Sequence, residues 1–92
     1  SLLGTKELHR QKAERENGLL KFGVVPVLAE IDDHAIHIDA HERLMLQLDY
    51  QALKAERPEI CTAFEAHVAE HKAREESEKQ NAAILAAQGE NP

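Results

Sequence analysis

The chain has no tryptophan, one tyrosine and two phenylalanines among its 92 residues. Large aromatics bury the most apolar surface per residue, so their scarcity leaves Leu, Ile, Val and a great deal of Ala to build a core. Such a core is modest, and self-association is an expected way of adding to it. A lone cysteine, Cys61, excludes an internal disulfide and any cysteine-based zinc motif. Phe64 and Val68 follow it at helical spacing, which reads it as a buried structural thiol. No run of about 18 apolar residues occurs, so no membrane-spanning helix is expected. Gly-rich phosphate loops, His-Glu-x-x-His pairs and nucleophile elbows are also missing, and the chain is not expected to be an enzyme. Nor is there an excess of positive charge. The net charge is −6 and Lys and Arg alternate with acids, as in Lys12-Ala13-Glu14-Arg15-Glu16. That is the pattern of a solvated helix face, and it argues against tight nucleic-acid binding by this segment.

What is present is helical in pattern. The expected class is all-α: a polar helix over about 5–22, an extended connector over 23–31, and an antiparallel hairpin of helices at about 33–54 and 58–87. Thr5 is available as an N-cap and Gly23 as a stop. The first helix has thin apolar content, weakened at Asn17-Gly18, and needs a neighbour from another chain or from residues upstream. The connector Gly23-Val24-Val25-Pro26-Val27-Leu28 is the only β-like stretch, and its proline removes a donor. Asp32 is placed to cap the central helix, with Asp33 in the first turn. Ile31, Ile38, Met45 and Ala52 repeat every seven residues beside His34, His41 and Leu48, in the manner of a coiled-coil seam. Arg57-Pro58 marks the turn into the last helix. The His-rich hairpin occupies 32–80 and loses its apolar stripe after His71. An apolar patch over 81–87 and a disordered end follow. The chain opens on Ser1 and runs at once into Leu2-Leu3-Gly4, so it reads as one small helical domain, a fragment of a longer protein.

The feature that asks for explanation is the placing of histidine. His34, His37 and His41 stand at spacings of three and four, on the helix side that also carries Ile38, Leu44 and Met45. His67 and His71 share a later side with Ile60, Phe64 and Val68. Facing positions in an antiparallel hairpin have numbers with a constant sum. With a turn centred on residue 54, His41 faces His67 and His37 faces His71; with one centred on 56, His41 faces His71 and His37 faces Glu75. Either way imidazoles from two helices meet in one layer.

Two readings of that layer stand. In one it binds a transition metal, most naturally zinc, through His37, His41, His67 and His71, with Asp33, Glu30 or Glu75 as outer acceptors. Iron is the alternative, since His71 and Glu75 have the spacing of a di-iron helix pair, although such a centre needs four helices and therefore a dimer. In the other, His34, His37, His41, His67 and His71 form a hydrogen-bonded structural layer with no cofactor. A pH switch is a third possibility.

Asp32-Asp33-His34-Ala35-Ile36-His37-Ile38-Asp39-Ala40-His41, followed by Phe64-Glu65-Ala66-His67-Val68-Ala69-Glu70-His71, resembles a C-terminal segment of the portal (head-tail connector) proteins of tailed bacteriophages and prophages. There a Pro-containing extended stretch precedes a DDHxxHxxxH helix, and a helix with HxxxH follows it. The resemblance covers about residues 13–75. It implies a non-enzymatic structural and assembly module in a ring at the capsid vertex, through which DNA is packaged and to which the tail attaches. The implied partners are further copies of itself and other virion or head-tail proteins. The implied location is the bacterial cytoplasm and then the virion.

Overall fold

The computed structural model describes residues 4–90, which are all-α, with no strand among them. Four α-helices follow one another: α1 (Thr5–Leu19), α2 (His34–Met45), α3 (Leu48–Glu56) and α4 (Pro58–Glu90). A single 3₁₀ turn, Leu20–Phe22, closes α1. Gly23 stops it as expected, at φ 80°, where its N–H reaches the Leu20 carbonyl at 2.8 Å and a side chain would be strained. The connector then runs without regular structure to α2. Arg57 takes non-helical angles ahead of Pro58, as a residue before proline must, and the chain reverses there into α4. α2 and α3 pack antiparallel against α4, and α1 lies along α2.

The apolar core is small and lies toward the hairpin turn. Leu20, Tyr50, Cys61, Phe64 and Val68 are buried there, flanked by Val25, Leu44, Met45, Leu53 and Ile60. Cys61 is the buried thiol anticipated from its neighbours. The Tyr50 hydroxyl donates to Glu65 Oε2 at 2.6 Å, and burial with that carboxylate beside it pushes the phenol pKa up.

Several expectations need correction. The helix anticipated over 33–54 is two helices, broken at Leu46-Gln47, where Gln47 is extended at ψ 155°. In an unbroken helix Tyr50 would point about 180° away from His41, given about 100° per residue. The break turns Tyr50 into the core and Leu48 out, leaving Leu48 78 % exposed. The heptad seam is therefore not formed, and its first member, Ile31, lies outside the helix and in solvent. Asp33, not Asp32, caps α2: its Oδ1 accepts from the Ile36 N–H at 3.1 Å. At the start of α1, Gly4 holds the cap position and Thr5 is already helical. The neighbour that α1 needs is within this chain, because α1 packs on α2 and buries Ala13 and Asp32 between them. Gly89 and Glu90 continue α4, so the disordered end expected there is helical as far as Glu90; residues 91–92 lie outside the described residues.

Beyond His71, α4 runs out from the bundle, touching it through Lys72 with Glu42 and Glu78 with His34. Burial ends there, as the charge pattern of 72–80 anticipated, and Ile84 and Leu85 are exposed. The extents of 59 × 33 × 19 Å reflect this arm, as does a radius of gyration of 16.0 Å. A compact chain of this length would have one of about 12 Å.

Candidate metal centre

Above the apolar core lies a second layer made almost wholly of polar side chains. His34, His37, His41, His67 and His71 are all buried, and His37, His41 and His71 have no exposed surface. The register is the one with a turn centred on 54. His41 meets His67 with ring centroids 5.2 Å apart, and His37 stacks on His71 at 4.8 Å. His41 also stands edge-on to Phe64 at 5.0 Å, which joins the polar layer to the apolar one.

The carboxylates of this layer are not those anticipated. Asp33 caps α2, Glu30 is exposed and Glu75 pairs with Lys79. Instead Glu16 of α1 and Asp32 of the connector enter the cluster. Glu16 Oε1 lies 3.2 Å from His37 Nδ1 and 3.2 Å from His41 Nε2. Asp32 Oδ1 is 3.5 Å from His37 Nε2, and its Oδ2 is 4.0 Å from His71 Nε2 and accepts from the Ala29 N–H at 3.0 Å. Asp32 also pairs with the Lys12 ammonium. Glu16 was read as part of a solvated helix face and Asp32 as a helix cap, and nothing in the local pattern marks Glu16 apart from Glu14.

Asn17 fixes one tautomer. Its Nδ2 donates to the Ala40 carbonyl at 3.0 Å, which settles the orientation of the amide and leaves Oδ1 facing His41 Nδ1 at 2.7 Å. Amide oxygen only accepts, so His41 carries its proton on Nδ1. In the neutral ring Nε2 is then a bare lone pair, and it faces the carboxylate oxygen of Glu16. Glu16 Oε1, His41 Nε2 and both ring nitrogens of His37 are buried without a hydrogen-bond partner among the described residues. The close approaches between them lack hydrogen-bond alignment. Burial pushes the Glu16 carboxyl up, but donation and positive charge from His37 and His41 more than offset it and hold its pKa down at about 2, a lowering that a cation at the same place would also give.

At the outer end of the layer an exposed carboxylate and three imidazoles stand in a row, the imidazoles joined by hydrogen bonds. Glu78 Oε1 stands 3.2 Å from His34 Nε2, His34 Nδ1 meets His71 Nδ1 at 2.8 Å, and His71 Nε2 meets His67 Nε2 at 3.1 Å. Burial and then the neighbouring imidazoles push His71 down to about 3, and His67 is lowered by burial and by His41. Both are neutral near pH 7, the form in which imidazole ligates a metal. His9, the sixth histidine, stands apart and accepts the Asp33 N–H at 3.3 Å, helping to lay α1 against the start of α2.

Three overlapping sets of donors have one ligand atom per residue within 4.8 Å of one another: His37, His41 and His71; Glu16, His41 and His67; and Glu16, Asp32 and His37. The four histidines anticipated as ligands lie in one layer, but no one of these sets holds all four, and His67 and His71 share none. The carboxylates that complete the sets come from parts of the chain expected to be elsewhere.

Comparison with models of protein families, with curated proteins and with solved structures gives no match. The functional reading rests on the centre itself.

Proposed function

We propose that this chain is a metal-binding helical module in which one divalent ion, most naturally zinc, ties α1 to the α2–α4 hairpin. Glu16 and His41 are the central pair, and α4 supplies His67 with His71 beside it. The observation that carries the reading is the approach of two acceptors. His41 Nε2, the lone-pair nitrogen of the neutral ring when Nδ1 donates to Asn17, lies 3.2 Å from a Glu16 carboxylate oxygen in a buried site, and the two atoms are not aligned as a hydrogen bond. Two buried lone pairs at that distance repel unless a proton or a metal ion lies between them, and the pair lacks the alignment of a hydrogen bond. The spacing also suits an ion, because donors about 2.0–2.1 Å from a tetrahedral centre lie about 3.3 Å apart.

The hydrogen-bonded layer without metal is the weaker alternative, since it leaves Glu16, His37 and His41 with unmet atoms. Full burial of the donors favours a structural ion over a catalytic one, because a catalytic site keeps a position open to substrate. The wider setting that we propose is non-enzymatic assembly, following the resemblance to portal proteins, with further copies of the chain and other head-tail proteins as partners. The free arm of α4, with Ile84 and Leu85 in solvent, supports that setting.

The test is metal content. Protein made without a histidine tag and dialysed against zinc is expected to hold one ion per chain by plasma emission spectrometry. His41→Ala should lose both the ion and the thermal stabilisation that zinc gives. Absence of metal from the parent chain, with no shift of its melting temperature in chelator, would overturn the proposal and leave the purely structural layer.

A further inference from the structure

The cluster holds more donors than one ion takes. Once Glu16, His41 and His67 are assigned to the first ion, with His71 beside His67, His37 and Asp32 remain, and with Glu16 they form a set of their own. His37 is entirely buried, and neither ring nitrogen has a hydrogen-bond partner, one facing Glu16 and the other Asp32. These donors make a second place for a cation that shares only Glu16 with the first. A charge already stands beside it. Lys12 reaches in from α1, one turn before Glu16, and its ammonium pairs with Asp32 and lies 3.8 Å from Glu16 Oε2. The two oxygens of Glu16 thus face different ways, Oε1 toward the imidazoles and Oε2 toward Lys12.

We infer that Lys12 holds the place of a second metal ion and so makes this a one-ion centre. The inference rests on the metal-binding reading. An ammonium that already neutralises Asp32 removes the charge a second dication would need, and it repels a dication held by the same two carboxylates. Without Lys12, Asp32 would be a buried carboxylate with the backbone N–H of Ala29 and imidazole nitrogens around it. Together with His37 and Glu16 that is a donor set of nitrogen and oxygen suited to zinc or iron. Two ions bridged by Glu16 would then occupy the layer.

The experiment is ion stoichiometry of the full chain, made without a histidine tag, after dialysis against zinc. One ion per chain is expected for the parent protein, two for Lys12→Met and one for Lys12→Arg. Two ions in the parent, or one in a Lys12→Met protein that keeps its helical circular dichroism, would overturn the role of Lys12 and leave the metal reading intact. No ion in the parent would overturn the reading on which the inference rests. A variant that keeps Lys12 gives an independent check. Asp32→Asn should retain one ion with its dissociation constant changed by less than about tenfold, below the cost of losing even an outer-shell partner. Loss of that ion would place Asp32 among the first ion's ligands and overturn the assignment.

Discussion

Asn17 shows how one side chain sets the chemistry of another. In the sequence it is a weak point in a helix, followed by glycine. In the fold it reads the Ala40 carbonyl with one end of its amide and orients His41 with the other. Removing it frees the His41 ring to take its proton on Nε2, the nitrogen that faces Glu16. Asn17→Ala is therefore expected to keep one zinc per chain while weakening its binding by about 10–100-fold, the range for losing an outer partner of a ligating histidine. Competition with a chromophoric chelator measures this, and an unchanged affinity would mean that Asn17 does not govern the tautomer. The histidines themselves were legible because period 3.6 places them on one face with apolar neighbours. Glu16 was not, because an acid on a charged helix gives no sign of burial until the helix has been docked.

Among the elements, α2 and α3 show why helix pattern did not fix helix length. The apolar seam ran on through Leu48 and Ala52, yet the chain breaks at Leu46-Gln47. Tyr50 is the bulkiest aromatic in the chain, and swinging it inward against Phe64 outweighs keeping Leu48 in line. Leu48→Gln should accordingly change stability by no more than about 0.5 kcal/mol, the usual bound for an exposed position. The cap offers a contrast from the same stretch of chain. Asp33→Ala should cost about 1 kcal/mol through the lost bond to the Ile36 N–H. Urea denaturation compares the two. If Leu48→Gln proves the more damaging, the seam is formed after all and the break is misplaced.

For the molecule as a whole, the division between bundle and arm governs behaviour. Among the described residues all the buried ones lie before Lys72, and the α4 arm adds length without core. A chain ending at Gln80, which keeps Glu78 beside His34, is expected to hold the same one zinc and to melt at the same temperature as the parent. If the arm serves assembly, light scattering should find the parent self-associated and the shortened chain monomeric. A shortened chain that loses its metal would show that the arm belongs to the bundle. The α-helical class, the reversal at Arg57-Pro58, the stop at Gly23 and the meeting of imidazoles from two helices in one layer were all written in local pattern, while the choice between the two registers was not. Each depends on backbone preference or on periodicity over a few turns. The break before Leu48 came from packing Tyr50 against Phe64, and the release of Asp32 from the cap and the entry of Lys12, Glu16, Asn17 and Asp32 into the histidine layer came from docking α1 across the hairpin. Those contacts join positions about twenty or more apart in the chain, and it is burial on docking, not any local preference, that selects them.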